Sequence, residues 1–168
     1  METTQENFDF ESQLAFGEEG EHEVAIELLK RGVVIQPLYQ YNTTKDETSP
    51  KIITCNGALI APDLTCFKTG DGFFVEVKTK RRWINYKYGL ETGFNYSHYK
   101  QYMEVKKYTG LNVWICFNHV EKEPVGKFMC EIERHHRYWD GMNEKTGERV
   151  EKPMMLYKFE VLKNIDHE

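Results

Sequence analysis

The chain has 168 residues, of which 40% are hydrophobic and 29% are charged, and its formal net charge is -5. This length predicts one domain with a buried core, and the composition is typical of a globular protein rather than a disordered one. An acidic net charge is not typical of a nucleic-acid-binding protein, so any contact with DNA must be local.

Cysteine spacing and the apolar runs exclude further classes. The four cysteines contain no CxxC pair, which favours reduced core thiols in a cytoplasmic protein over a disulfide framework or a zinc site. No apolar run is long enough to span a membrane, and the acidic residues 1–11 do not resemble a signal peptide. We therefore expect an intracellular protein without a membrane segment.

Residues 1–16 are polar and are expected to form an N-terminal arm, and residues 17–168 are expected to form the single domain. A first helix is predicted from an apolar stripe that Gly32 ends. The stripe consists of Val24, Ala25, Leu28 and Leu29. Glu21 lies in the middle of this stripe, while Glu19, Glu23 and Glu27 point away. An inward glutamate can reach a site beneath the helix, or it can be a solvated residue that the helix dipole favours in a first turn.

Strands are predicted at residues 33–41 and 51–55, with a polar loop at 42–50 between them. The segment 58–80 then carries a predicted β-hairpin. With Gly70 and Asp71 as the two loop residues, Thr65 faces Glu76 and Asp63 faces Lys78. Because side chains alternate along a strand, Glu76 and Lys78 share one face with Asp63, and Phe73, Val75 and Val77 point to the other face.

The three ionisable groups on that face predict a metal site. Two carboxylates a few ångströms apart repel each other unless a cation lies between them, and oxygen ligands suit Mg²⁺ or Mn²⁺. Lys78 beside such an ion can hold a phosphate oxygen, orient or deprotonate a water, or neutralise charge in the transition state. This chemistry suits phosphodiester hydrolysis. The alternative is a plain cross-strand ion pair of Asp63 and Lys78 on a surface hairpin.

Pro62-Asp63 followed by Glu76-Val77-Lys78 resembles the signature of the PD-(D/E)xK nuclease superfamily, which includes restriction endonucleases, Holliday-junction resolvases and phage exonucleases. The resemblance covers residues 17–117 in the order of the elements. It implies an α/β fold with a mixed central β-sheet flanked by helices and a restriction-endonuclease-like core of order αβββαβ.

The resemblance also implies roles for individual residues. Asp63 and Glu76 are expected to bind the metal ion, and the backbone carbonyl of Val77 is expected to complete the shell. Glu21 is expected to assist metal binding from the first helix, with Glu18, one turn earlier, as its substitute. Catalysis is accordingly assigned to Asp63, Glu76, Lys78 and Glu21.

A basic and aromatic segment follows the hairpin and predicts a nucleic-acid contact. It contains Lys80, Arg81, Arg82 and Lys87, interleaved with Trp83, Tyr86 and Tyr88. Cations meet phosphates and aromatic rings stack on bases, so we interpret the segment as a DNA-binding surface. The alternative is an amphipathic loop whose rings pack on the body of the protein.

A second helix is predicted from Ser97 to Gly110, and a buried strand is predicted at 111–117, which indicates a crossover to a parallel strand. His98, Lys100 and Gln101 are expected to line the DNA side of this helix. Some members of the superfamily carry Gln-x-x-x-Tyr here; Gln101 is present, but Val105 replaces the tyrosine. Further strands are predicted at 126–134 and 154–162.

The leading hypothesis is a Mg²⁺-dependent endo- or exodeoxyribonuclease that acts on branched or processed DNA in recombination, repair or phage replication. The small size resembles a junction resolvase or a phage-type nuclease, and a Holliday-junction substrate would require a homodimer. The alternative is a catalytically silent nucleic-acid-binding or assembly protein that keeps the fold.

Overall fold

The computed structural model describes residues 19–37 and 50–166, apart from residues 88 and 144. The predicted N-terminal arm, Glu18, residues 38–41 of the first predicted strand, the loop 42–49 and Tyr88 lie outside the described residues. None of the described helices is both long and apolar enough to cross a membrane.

The first helix, α1, covers residues 19–30, and the second, α2, covers Tyr96–Thr109. The strands are β1 Val34–Pro37, β2 Lys51–Thr54, β3 Gly57–Ile60, β4 Leu64–Lys68, β5 Asp71–Lys80, β6 Ile84–Tyr86, β7 Gly89–Asn95, β8 Asn112–His119, β9 Gly126–Glu131, β10 Arg137–Trp139, β11 Met154–Lys158 and β12 Lys163–Asn164. Short 3₁₀ turns at Ile132–Arg134 and Phe159–Val161 follow β9 and β11.

The central sheet has six strands in the order β1-β4-β5-β8-β9-β12. Within it β5 and β8 run parallel, and the other neighbouring strands are antiparallel. The elements α1, β1, β4, β5, α2 and β8 therefore give the predicted αβββαβ order. The predicted parallel partner after α2 is confirmed.

Each face of the central sheet is covered by one helix. The α1 face buries Val24, Leu28, Val33, Leu64, Cys66, Val75, Val77, Cys116 and Ile165. The α2 face buries Phe74, Tyr102, Val105, Val113, Ile115 and Phe117, together with side chains of the second sheet. The predicted division of β5 into two faces is confirmed, since Val75 and Val77 face α1. Leu29, predicted in the apolar stripe of α1, is instead 54% exposed.

The hairpin of β4 and β5 differs in register from the prediction by two residues. Lys68 pairs with Asp71, so Thr69 and Gly70 are the loop residues, with φ of 53° and 90°. Two consecutive positive φ angles are typical of a type I′ turn. Thr65 consequently faces Phe74, and one further pair along this register places Asp63 opposite Glu76. Because the shift is even, every side chain keeps its predicted face.

A second, four-stranded antiparallel sheet has the order β10-β11-β7-β6. Its strands β6 and β7 lie in and after the basic and aromatic segment, where no strand was predicted. It packs Phe94, Met155 and Tyr157 against the core beneath α2. The helix α2 itself begins at Tyr96, and its N-cap residue Asn95 lies two residues before the predicted cap Ser97. Its end at Gly110, in the left-handed conformation, is as predicted.

The thiols follow the predicted pattern in part. Cys66, Cys116 and Cys130 are buried and free, whereas Cys55 is exposed. Three of the four cysteines are thus core thiols, and none of the four is in a disulfide.

Candidate active site

Two carboxylates and an ammonium group meet at the middle of β5. Glu76 is buried, with 1% of its surface exposed, although it lies in a strand whose neighbours are apolar. Lys78, two residues on and therefore on the same face, donates a hydrogen bond to Glu76 Oε1. Asp63 Oδ2 accepts a hydrogen bond from the backbone N–H of Val77 at 2.7 Å. The hairpin register thus brings both acids to one point of β5.

The pKa of Asp63 shows that Asp63 and Glu76 resist being negatively charged at the same time. Burial raises the pKa of Asp63 well above its usual range, and the charges of Glu76 and Glu21 raise this pKa further. Lys78 and the hydrogen bond from Val77 oppose these effects without cancelling them. A cation between the two carboxylates would remove the repulsion.

Lys78 is held in its charged form. Burial lowers the pKa of its ammonium group, but the carboxylates of Glu76 and Asp63 outweigh burial, so that the net shift is upward. A protonated lysine is an electrostatic stabiliser and a hydrogen-bond donor.

The donor set fits a hard divalent cation. The second oxygen of Glu76, Oε2, is buried without a hydrogen-bond partner in the part of the chain that the structure describes. A buried carboxylate oxygen without a partner is costly unless a ligand satisfies it. Within residues 19–37 and 50–166, no three His, Cys, Asp or Glu side chains are grouped as metal ligands. Asp63 and Glu76 could therefore hold Mg²⁺ with waters and substrate oxygens as the other ligands.

Val77 contributes its backbone amide to the site, through the hydrogen bond to Asp63. The role of its carbonyl group as a metal ligand stays a prediction.

The helix α1 begins next to these residues because Gly20 permits a close approach. A Cβ at Gly20 would lie 1.9 Å from Thr79 Oγ1. Asn118 Nδ2 donates a hydrogen bond to Glu23 Oε2 at 3.0 Å, although Glu23 was predicted to point away. These contacts place half-buried Glu21 close enough to raise the pKa values of Asp63 and Lys78. Glu21 thus lies at the edge of the site.

Tyr102, on α2, also reaches the site. It is 2% exposed, and burial, followed by the charge of Glu76 and a hydrogen bond to it, raises the pKa of its hydroxyl. The comparison with Gln-x-x-x-Tyr had been made at Gln101 and Val105, but Val105 is wholly buried in the core. The tyrosine that approaches Glu76 is Tyr102, and His98 lies four residues before it. The spacing of four residues between His98 and Tyr102, which puts both on the inner face of α2, was the sequence signal that could have identified Tyr102.

Trp83 was predicted to lie on the DNA-binding surface, and this prediction is wrong. It is 8% exposed, and its ring stacks on His119 with the centroids 3.7 Å apart. Its indole N–H donates a hydrogen bond to the carbonyl of Pro124 at 2.9 Å, and the rings of Phe128 and Phe159 pack edge-on against it. Both the ring and the N–H of Trp83 are therefore engaged inside the protein, and the ring cannot stack on a base.

The basic residues of the same segment remain at the surface. Arg81, Arg82 and Lys87 are exposed, and Lys80 is half-buried. Arg81 lies 3.4 Å from Glu121, in an exposed ion pair.

Lys100 and Gln101, both predicted on the DNA side of α2, have different surroundings. Lys100 is exposed and lies above the ring of Tyr96, with Nζ 5.2 Å from the ring centroid. Gln101 is half-buried, and its Oε1 accepts a hydrogen bond from the backbone N–H of Ile60 at 3.3 Å, while its contact with DNA stays a prediction. Gln101 therefore joins α2 to β3.

No protein-family model matches the chain, and no curated protein matches its sequence. Among solved structures, the fold is similar to Hjc, a Holliday junction resolvase from the archaeal hyperthermophile Archaeoglobus fulgidus, with a TM-score of 0.53 and 12% identity. The similarity covers 86% of this chain and 90% of the resolvase chain. It shows that the chain has a restriction-endonuclease-like α/β fold with a mixed central sheet.

Proposed function

We propose that the protein is a divalent-metal-dependent nuclease that hydrolyses phosphodiester bonds in DNA inside the cell. The observation that carries this proposal is the buried Glu76 carboxylate, with one oxygen bound by Lys78 and the other without a partner among the described residues, beside the raised pKa of Asp63. A surface ion pair would not need a buried second carboxylate. The fold shared with a Holliday junction resolvase supports the same conclusion.

Each residue has a defined task in this proposal. Asp63 and Glu76 would hold Mg²⁺ or Mn²⁺, with Glu21 assisting from α1. The bound ion supplies Lewis-acid stabilisation of the scissile phosphate and activation of the attacking water. Lys78 keeps two further N–H donors beyond the one given to Glu76, and it directs them at the phosphate oxygens, where negative charge develops. Water adds to phosphorus as the bond to the leaving oxygen breaks.

Lys78→Met tests the mechanism. Loss of a donor and a positive charge at the reacting phosphate is expected to slow Mg²⁺-dependent cleavage by about 10²–10³-fold. Cleavage of branched, duplex and single-stranded DNA is measured with Mg²⁺ and with EDTA, and thermal unfolding shows that the variant is folded. The exposed Lys68→Met, at the tip of the hairpin, is the matched control. Unreduced cleavage by Lys78→Met would remove the mechanism.

The same panel of substrates tests the finer assignment to branched DNA. Preferential cutting of four-way junctions, together with a homodimer in sedimentation analysis, is the result expected of a junction resolvase. Equal cutting of plain duplex indicates a processing nuclease.

A catalytically silent DNA-binding protein is the second candidate. It is favoured by the acidic net charge of -5 and by the lack of a three-carboxylate group among the residues with described structure. DNA binding without cleavage under Mg²⁺ and under Mn²⁺ would establish it in place of the nuclease.

A further inference from the structure

A group of basic side chains lies beside the acids, on the α2 face of the central sheet. Lys80 follows Lys78 by two residues in β5, and the two pair with His119 and Phe117 of β8 in register, so both side chains leave the same face. His98 lies in the first turn of α2, with its ring edge-on to Tyr102 at a centroid distance of 6.2 Å. Since Tyr102 reaches Glu76, this contact places His98 next to the active site.

The segment before β11 brings a third basic residue to the same place. The carbonyl of Pro153 accepts a hydrogen bond from the backbone N–H of Tyr96 at 2.8 Å, which ties Lys152 to the first turn of α2. Behind this segment, Gly141 adopts a φ of +80°, and a Cβ there would lie 2.1 Å from the carbonyl oxygen of Glu151. The backbone at Glu151 and Lys152 is therefore held from both sides.

Lys78 acts electrostatically on both Lys80 and His98, and Lys152 acts on His98 as well. Burial lowers the pKa of Lys80 to about 8, with Lys78 adding to the shift and Glu151 opposing it. Burial also lowers the pKa of His98, with Lys78 and Lys152 adding to the shift and Glu76 opposing it. His98 is thus a neutral hydrogen-bonding group at pH 7. The positive charges of Lys78, Lys80 and Lys152 repel one another when they lie close together. An anion bound between them would replace this repulsion with attraction.

We propose that Lys80, His98 and Lys152 form a second phosphate-binding subsite, adjacent to Lys78, for a neighbouring phosphate of the DNA strand being cut. The identity of the ligand rests on the proposed nuclease function. Residues i and i+2 of a strand are separated by about 6.6 Å, which is similar to the separation of consecutive phosphates in a nucleic-acid strand. Lys78 and Lys80 are therefore spaced to hold two phosphates in succession.

The test measures DNA binding rather than cleavage. Lys80→Gln and Lys152→Gln are compared with the unchanged chain by fluorescence anisotropy, in EDTA and at several salt concentrations, on a duplex with single-stranded ends. Each variant is expected to reduce the slope of log K against log salt by about 0.7 to 0.9, the value for one phosphate contact. Lys163→Gln, in the exposed edge strand β12, is the control and is expected to keep the slope.

Three probes distinguish an internal phosphodiester from a terminal phosphate. They are a duplex with 5′-phosphates, the same duplex with 5′-hydroxyls, and a covalently closed dumbbell. An effect of Lys80→Gln on the dumbbell assigns the subsite to an internal phosphodiester, and an effect confined to the 5′-phosphorylated duplex assigns it to a strand end. Equal slopes for both variants and the unchanged chain on all three probes would overturn the subsite.

Failure of the nuclease proposal has a different signature. If the unchanged chain binds DNA with the expected changes of slope but cuts no substrate, the phosphate subsite stands and the hydrolytic function fails. If the unchanged chain cuts DNA and the slopes do not change, the reverse holds. A chain that binds none of the three probes overturns the subsite directly.

Discussion

Two of the glutamates that the structure describes are almost completely buried, and their surroundings differ. Glu91, on β7, is 0% exposed, and both of its oxygens are bound: Arg137 Nε lies 3.3 Å from Oε1 and Arg137 Nη2 lies 2.9 Å from Oε2. His136 Nε2 lies 3.2 Å from Oε1 as well. Glu76, on β5, has one oxygen bound by Lys78 and one buried without a partner among the described residues.

The difference separates a structural charge from a functional one. A bidentate guanidinium satisfies a carboxylate inside the protein, so Glu91 needs no ligand from outside. The pair stands beside a cleft of about 420 Å³ on the second sheet, to which Arg137 contributes. In Glu76 the oxygen Oε2 has no partner among the described residues, and a metal ion bound there would satisfy it. Burial alone therefore does not identify a catalytic carboxylate; its unsatisfied oxygen does.

Replacement of Glu91 is expected to have the largest effect on stability. Glu91→Gln removes the buried carboxylate that Arg137 binds, and breaking a buried ion pair at one partner costs about 3–5 kcal/mol of the free energy of unfolding. Urea denaturation of the variant and of the unchanged protein measures this loss. Substrate cleavage at a temperature where the variant is folded is expected to be largely retained.

Glu76→Gln is the matched comparison and should show the opposite pattern. Removal of a charge from the metal-free site relieves the repulsion between Glu76 and Asp63, and Asp63 remains as a counter-charge for Lys78. Stability is therefore expected to be equal or higher, while Mg²⁺-dependent cleavage is lost. A destabilised Glu76→Gln, or a stable but inactive Glu91→Gln, would contradict the assignment of the two glutamates.

His119 is a buried histidine whose surroundings can be compared with those of the two glutamates. It is 0% exposed, its Nε2 lies 3.2 Å from Thr92 Oγ1, and its Nδ1 has no hydrogen-bond partner within the described part of the chain. Burial, aided by the charge of Lys80, lowers its pKa to about 4. The ring is neutral at pH 7, so its missing partner costs less than that of a carboxylate.

The lowered pKa of His119 predicts a pH dependence of stability. Between about pH 6.5 and pH 4 the unfolded chain binds a proton at this residue and the folded protein does not, so stability is complete above pH 6.5 and falls as the pH falls. The loss from this residue amounts to roughly 3 kcal/mol by pH 4. Denaturation of the unchanged protein and of His119→Gln across this range isolates it. A His119 that titrates near 6.5 in NMR would disprove it.

The sequence predicted those parts of the site that depend on local periodicity. The alternation along β5 placed Glu76 and Lys78 on one face, and an even error in register left that result intact. Trp83 was misassigned because its partners, His119 and Pro124, are distant in sequence. A ring that could stack on a base and a ring that stacks on a histidine have the same local pattern.

The second sheet was missed for a related reason, apart from β11, which lies within the strand predicted at 154–162. Its strands β6 and β10 have three residues each, too short for a clear two-residue period. The pair of Glu91 and Arg137 joins residues 46 positions apart, which no spacing rule indicates. The burial of Glu91 and of Trp83 therefore depends on contacts with residues that are distant in the sequence.

Tyr102→Phe is the smallest of the expected effects, and it tests whether the contact between Tyr102 and Glu76 matters. The hydroxyl of Tyr102 approaches Glu76, whereas its ring packs on Phe94 at a centroid distance of 6.1 Å and is kept by the substitution. Loss of one group that orients a metal ligand is expected to raise the Mg²⁺ concentration for half-maximal cleavage by about 10-fold. Stability is expected to change by about 1 kcal/mol or less, because a single hydrogen bond is lost.

Tyr157→Phe separates an orienting role of Tyr102 from a packing role. Tyr157 lies in the same core, and its hydroxyl donates a hydrogen bond to the carbonyl of Ile132 at 2.6 Å, among residues that do not belong to the active site. This variant is expected to lose stability while its Mg²⁺ requirement stays unchanged. If Tyr102→Phe behaves in the same way, its hydroxyl serves the core alone, and Glu76 is oriented by Lys78 without help from α2.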